Sequence, residues 1–197
     1  MTPRTAVVQR QTRVTTIAAE LSLEGRGTCA IHTGLGFLDH MLTTLATHAR
    51  LDVTLRCDGD LGVDDHHTVE DCALALGQCV ERALGDRACV ARFGSAYAPL
   101  DEALARAVVD LSGRPHATVS LGLRRDRIGD VACENISHFF RSLATAARFT
   151  LHVDVLRGEN DHHRAEAAFK ALALAMRQAL RIDPGLEGVA STKGTLS

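Results

Sequence analysis

Two short stretches carry side chains that could do chemistry, DDHHTVED at 64–71 and NDHHRAEA at 160–167. In each, a glutamate follows a pair of adjacent histidines by three residues. Residues three and four apart share one face of a helix. Glu70 is therefore expected beside His66 and His67, and Glu166 beside His162 and His163. Adjacent helical residues diverge by about 100°, so one histidine pair can reach two ions. Imidazole plus carboxylate, with no thiolate in the motif, suits Mn, Fe, Zn or Ni. A helix N-terminus favours neutral imidazole, which is the ligating form. One such motif alone could equally be a solvent-exposed helix start.

The second copy argues against that bland reading. Residues 38–84 and 136–180 align as an internal repeat: His40 falls on His138, LAT at 45–47 on LAT at 143–145, and Ala83-Leu84 on Ala179-Leu180. A two-residue shortening in the middle brings His66, His67 and Glu70 onto His162, His163 and Glu166. With His40 and His138 added, six histidines and two glutamates suffice for two sites of three His and one Glu. His32, His48, His116 and His152 lack this pairing and are read as structural or surface residues.

The elements that must hold these residues read alike in both halves. A helix is expected near His40 and near His138, with apolar residues at 3–4 spacing. An alternating strand follows at 51–57 or 149–156, and a second helix runs over roughly 66–84 or 162–181, with Asp65 or Asp161 as its N-cap. Further strands are expected within 13–25, 27–34, 105–114 and 116–123, while RFGSAYAPLDEA at 92–103 reads as the connection between halves. The result is an α+β, internally duplicated chain. Each half has a small mixed β-sheet and two helices, with the helices packed between the sheets. The first repeat is 1–91 and the second 92–197, the two forming one compact unit.

Composition narrows the class. Hydrophobic residues make up 46 % and charged ones 23 %, with no Trp, so the core must be built mainly from Ala, Leu and Val. Net charge is −2 without a basic stripe, which argues against a nucleic-acid partner. No apolar run reaches the roughly 20 residues of a membrane span, and the first residues lack the apolar core of a secretory leader. Six cysteines without a C-x-x-C pair read as reduced core residues, so a cytoplasmic protein is expected. Arg114 follows Gly113, Arg92 lies two residues before Gly94, and Lys193 lies among small hydroxyl and Gly residues, groups suited to a phosphate ester.

The segments TGLGFLDHML, GDLGVDDHHTVED, RFGSAYAPLDEAL, VDLSGRP, SHFFRSLA, TLHVDVLRGENDHHRAEAAFKA and STKGTL, read in order, resemble the imidazoleglycerol-phosphate dehydratase family over about residues 10–196. The resemblance implies a duplicated fold of the ribosomal protein S5 domain 2-like type. It further implies two Mn2+ ions per active site and a homo-oligomer of 24 subunits with sites between subunits. The family's metal ligands fall on His40, His66, His67, Glu70, His138, His162, His163 and Glu166. Its substrate contacts fall on Lys170, Arg92, Arg114, Thr192 and Lys193, the last four as phosphate binders.

The implied reaction dehydrates D-erythro-imidazole-glycerol phosphate to imidazole-acetol phosphate in L-histidine biosynthesis. No carbonyl acidifies the hydrogen that is lost, so the imidazole ring must take that role. A ring held between two metals would expel the hydroxyl through a diazafulvene-like intermediate, with Glu70, Glu166 or His40 moving protons. One residue departs from the family pattern R-x-T-x-E-T: here RQTRVT places Val14 at the Glu position. A valine can neither accept a hydrogen bond nor carry a proton. A catalytically impaired metal-binding variant is therefore one alternative, and a dinuclear metal hydrolase using the same ligands to activate water is the other.

Overall fold

A computed structural model describes residues 3–196. β1 (Thr5–Gln11) and β2 (Thr15–Ser22) form an antiparallel hairpin. β3 (Cys29–His32), α1 (Gly36–Ala49), β4 (Asp52–Gly59) and α2 (His66–Leu84) complete the first set of elements. The second set is β5 (Phe93–Leu100), β6 (Ala103–Asp110), β7 (His116–Ser120), a short hairpin of β8 (Arg127–Ile128) and β9 (Val131–Ala132), α3 (Cys133–Ala146), β10 (Thr150–Arg157) and α4 (Asp161–Ala179). The sheets run β1-β2-β4-β3 and β5-β6-β10-β7. β3 pairs in parallel with β4, as β7 does with β10, and the other pairs within the two sheets are antiparallel. The sequence duplication is thus a duplication of topology.

Strict alternation makes each sheet one-sided. Ile17, Ala19 and Leu21 of β2 point inward, as do Ala105, Ala107 and Val109 of β6. The four helices fill the space between the inner faces. α2 lies on β1 and β2 and packs against α3; α4 lies on β5 and β6 and packs against α1. Small residues permit these close approaches. A Cβ on Gly77 of α2 would sit 2.6 Å from the Ala146 methyl of α3, and one on Gly94 of β5 would overlap the Ala175 carbonyl oxygen of α4. The core is otherwise aliphatic, with Phe139, Phe140 and Phe169 as an aromatic patch whose nearest ring centroids are 4.7 Å apart.

Several local expectations need correction. Residues 92–103 are not a bare connection: β5 pairs along its length with β6. Gly94 and Pro99 obscure the strand in the sequence, but Pro is tolerated on an edge because no ladder donor is lost there. β1 also escaped the pattern because it is an edge strand in which only Val8 is buried. Asp65 stands at the N-cap position of α2 but its side chain makes no capping bond, and Asp161 is the first residue of α4, not its cap. The side chains that accept the His66 and His162 N–H groups are Asp64 and Asn160, one residue earlier, both at 2.9 Å. Asp65 and Asp161 are instead buried tethers to the segment before α3: Asp65 accepts from Ala132 N and Asn135 Nδ2, and Asp161 from Arg124 N and Arg125 N. Among the described residues, no helix is long and apolar enough to cross a membrane, and all six cysteines are free.

Candidate functional site

The helix pairs α1–α4 and α2–α3 each bring together residues from both halves. His40 of α1 meets His162 and Glu166 of α4: both Nε2 atoms lie 3.2 Å from Glu166 Oε2. His138 of α3 meets His66 and Glu70 of α2, with His138 Nε2 2.9 Å from Glu70 Oε1 and the two rings stacked 5.0 Å apart. Within each trio the potential ligand atoms lie within 4.8 Å of one another. Two imidazoles and a carboxylate so placed are a donor set that fits a divalent ion of intermediate hardness.

Neighbouring side chains orient the trios. Asn135 Oδ1 lies 2.9 Å from His66 Nδ1, and the Asn135 amide is itself held by Asp65. The edge of Phe37 packs on the His162 ring with centroids 5.3 Å apart. Lys170, one turn beyond Glu166, places its ammonium 2.8 Å from Glu166 Oε1. Burial alone would raise the Glu166 carboxyl, but Lys170 and His40 outweigh it and hold the group below the ordinary carboxylate range. The equivalent position in α2 is Leu74, so only one trio carries an ammonium.

The second histidine of each pair turns elsewhere. His67 Nδ1 contacts Asp60, 3.0 Å from Oδ2, and His163 Nδ1 contacts Glu102 at 2.7 Å. Neither joins a trio of its own chain, which differs from two complete sites of three His and one Glu. The His40 and His162 side chains are 49 % and 39 % accessible, so that trio opens outward, and His67 is 40 % accessible beside the other. His32, His48, His116 and His152 are exposed and lie outside both trios.

The four residues read as phosphate binders do converge. Arg92, Arg114, Thr192 and Lys193 line one open cavity of about 670 Å³. The Arg92 guanidinium is committed within the chain, to Asp110 at 2.7 Å and to the Ala190 carbonyl, and stacks 4.5 Å over Phe93. It frames the cavity, while the Arg114, Lys193 and Thr192 side chains make no hydrogen bond or ion pair among the described residues. This cavity is far from the trio on α4. Arg92 N bonds Ala179 O at the C-terminal end of α4, whereas Glu166 lies thirteen residues earlier, about 20 Å away at 1.5 Å rise per residue.

Asp60, Glu102 and Asn135 had no role in the sequence reading. Asn135 carried a usable signal, being one turn before His138 on the same helical face. Glu102 was hidden inside the supposed connection, and Asp60 in a Gly-Asp loop that reads equally well as solvent-exposed.

Comparison with known proteins bears on these features. A family model for imidazoleglycerol-phosphate dehydratase matches residues 33–176. An imidazoleglycerol-phosphate dehydratase of Phytophthora nicotianae is 58 % identical over 98 % of this chain, which spans 43 % of that protein's length. One from Candida glabrata is 53 % identical over 98 % of this chain and 100 % of its own. The crystal structure of the Staphylococcus aureus imidazoleglycerol-phosphate dehydratase superposes with a TM-score of 0.82 at 36 % identity, covering 90 % of this chain and 99 % of that one.

Proposed function

Since the chain belongs to the imidazoleglycerol-phosphate dehydratase family, carbon–oxygen lyases of histidine biosynthesis, we propose that it converts D-erythro-imidazole-glycerol phosphate to imidazole-acetol phosphate and water with two Mn2+ ions per active site. The observation that carries this reading is the pair of His-His-Glu trios, each assembled from both halves of the duplicated fold. His40, His162 and Glu166 would hold one ion, and His66, Glu70 and His138 the other. Mn2+ held by these residues would supply Lewis acidity and help to orient the substrate.

The chain's own groups have separable tasks. Lys170 keeps Glu166 anionic, the form that ligates or accepts a proton. Glu70, Glu166 and His40 are the groups placed to move protons as the C–H and C–OH bonds break. Arg114, Lys193 and Thr192 offer a guanidinium, an ammonium and a hydroxyl to the phosphate. A span of about 20 Å from trio to phosphate cavity exceeds the length of one five-membered ring with a three-carbon phosphate ester. A working site therefore takes its metal part and its phosphate part from different copies, in keeping with a 24-subunit assembly of closed symmetry. Free cysteines and the absence of a basic stripe support a cytoplasmic protein without a nucleic-acid partner.

The test is to incubate the Mn2+-loaded protein with imidazole-glycerol phosphate and follow formation of the ketone. No product at saturating metal defeats the dehydratase reading, and phosphate release from simple esters would instead favour the hydrolase. A slowed variant is the second reading, favoured by the position of Val14. It lies at the tip of the β1–β2 hairpin, where its carbonyl accepts the Asp60 N–H at 3.1 Å. The residue is thus next to the His67 partner yet offers no carboxylate. Val14→Glu should raise turnover by an order of magnitude or more, the usual range for general acid–base groups being about 10²–10⁴; an unchanged rate would remove Val14 as the cause.

A further inference from the structure

The two outward-turned histidines receive the same contact from positions the duplication does not relate. Glu102 is the second residue of the two-residue turn between β5 and β6, where Leu100 faces Ala103. The matching turn joins β1 and β2, where Thr12 N bonds Thr15 O across Arg13 and Val14. The counterpart of Glu102 is therefore Val14. Asp60, for its part, follows Gly59 at the end of β4; the register shift after Val155 sets Arg157 opposite Leu104 as Asp58 is opposite Thr16, so its counterpart after β10 is Glu159. The first half thus has Val14 where the second uses Glu102, and the second has Glu159, whose N–H donates to Glu102, where the first uses Asp60. Even so, a carboxylate reaches Nδ1 of the equivalent histidine in both: Asp60 on His67 and Glu102 on His163.

We propose that Asp60 and Glu102 are positioning residues that fix His67 and His163 with Nδ1 protonated and Nε2 presented as the ligating atom. A ligating histidine commonly donates its other N–H to a carboxylate, which sets the tautomer, the ring orientation and the ligand's basicity. Incidental surface pairing does not account for two unrelated backbone positions delivering one bond to equivalent atoms. Glu102 is itself anchored, accepting Asn160 N at 2.8 Å and Glu159 N at 3.0 Å. Both N–H groups hold Oε1 while Oε2 faces His163 Nδ1, so the carboxylate is fixed as an acceptor. Since Asn160 also accepts the His162 N–H, hydrogen bonds tie the turn, the cap and the histidine pair together.

The inference rests on the metal-binding reading of these histidines, and the test separates the two. Free Mn2+ is followed by electron paramagnetic resonance during chelator competition on the assembled wild-type protein and on Asp60→Ala, Glu102→Ala, Asp60→Asn and Glu102→Gln. The Ala variants should bind at least one ion about 10–100-fold more weakly. Asn and Gln, which keep an acceptor but no charge, should fall between Ala and wild type. The metal-free forms should keep the wild-type melting temperature and assembly size. Ala variants that bind all ions with wild-type affinity overturn the proposal alone. A loss of affinity that comes with a lower melting temperature of the metal-free form assigns the carboxylates to the fold and also overturns it. A wild-type protein that binds no Mn2+ overturns the parent reading and this one with it.

Discussion

Asp65 stands at the centre of a chain of dependences that ends on a candidate ligand. Its Oδ2 accepts from Ala132 N and from the Asn135 amide, and Asn135 in turn contacts His66 Nδ1. Replacing Asp65 by Ala strands buried donors, which should lower stability by about 1–3 kcal/mol in urea unfolding of the metal-free chain. A midpoint equal to wild type would show that water takes over both donors. Asp52 makes a different statement, about pH. The Arg26 and Thr28 N–H groups both bond its Oδ1 at 2.8 Å and hold its carboxyl below the ordinary 3.8. A folded-state value below the unfolded one stabilises the fold above the unfolded value, and that contribution is lost as pH falls through the folded one. Asp52→Asn should therefore lower the melting temperature at neutral pH and flatten its decline below pH 3.8; parallel melting curves would contradict the assignment. The ligand candidates were legible because their residue types are rare and their spacing repeats. Asp60, Glu102 and Asp65 were not, because a carboxylate in a turn has no distinguishing pattern until its partner is known.

The elements were legible where burial imposes a period. β2, β4, β6 and β10 alternate against a covered face, and α2 and α4 begin at their histidine pairs. β1 and β5 were lost because edge strands are held by backbone pairing, which leaves little trace in side-chain type. Gly94 illustrates what replaced that trace. In the sequence it reads as a loop glycine, whereas in the fold it lets the Ala175 turn of α4 rest directly on β5. A methyl group there would meet backbone that cannot rotate away. Gly94→Ala should cost more than ~2 kcal/mol by overpacking, read as a lower urea midpoint with an unchanged m-value. A midpoint within error of wild type would mean that α4 can shift outward. Gly77 of α2 is under the same constraint from Ala146 and Leu143.

For the whole molecule, the duplication was visible in the repeat, but the crossing of its halves was not. Nothing in linear spacing says that α1 packs on α4 and α2 on α3, since that follows from how four amphipathic helices share two sheets. The crossing makes each trio a joint product of both repeats, and it puts the two trios near helix starts while the cavity lined by Arg114 and Lys193 lies at the far end of α4. That separation has a consequence that can be measured by subunit mixing. His40→Ala removes a metal donor and leaves Arg114 and Lys193 intact; Lys193→Ala does the reverse. If metal part and phosphate part come from different copies, neither homo-oligomer turns over substrate. Dissociating and reassembling an equal mixture then restores sites in which a wild-type trio faces a wild-type cavity. Random assembly makes about one site in four competent, the product of two independent even chances in a symmetric oligomer. Activity near that fraction of wild type is expected. A mixture as inactive as its parents would mean that trio and cavity serve the same site within a single chain, and that α4 does not separate them in the working enzyme.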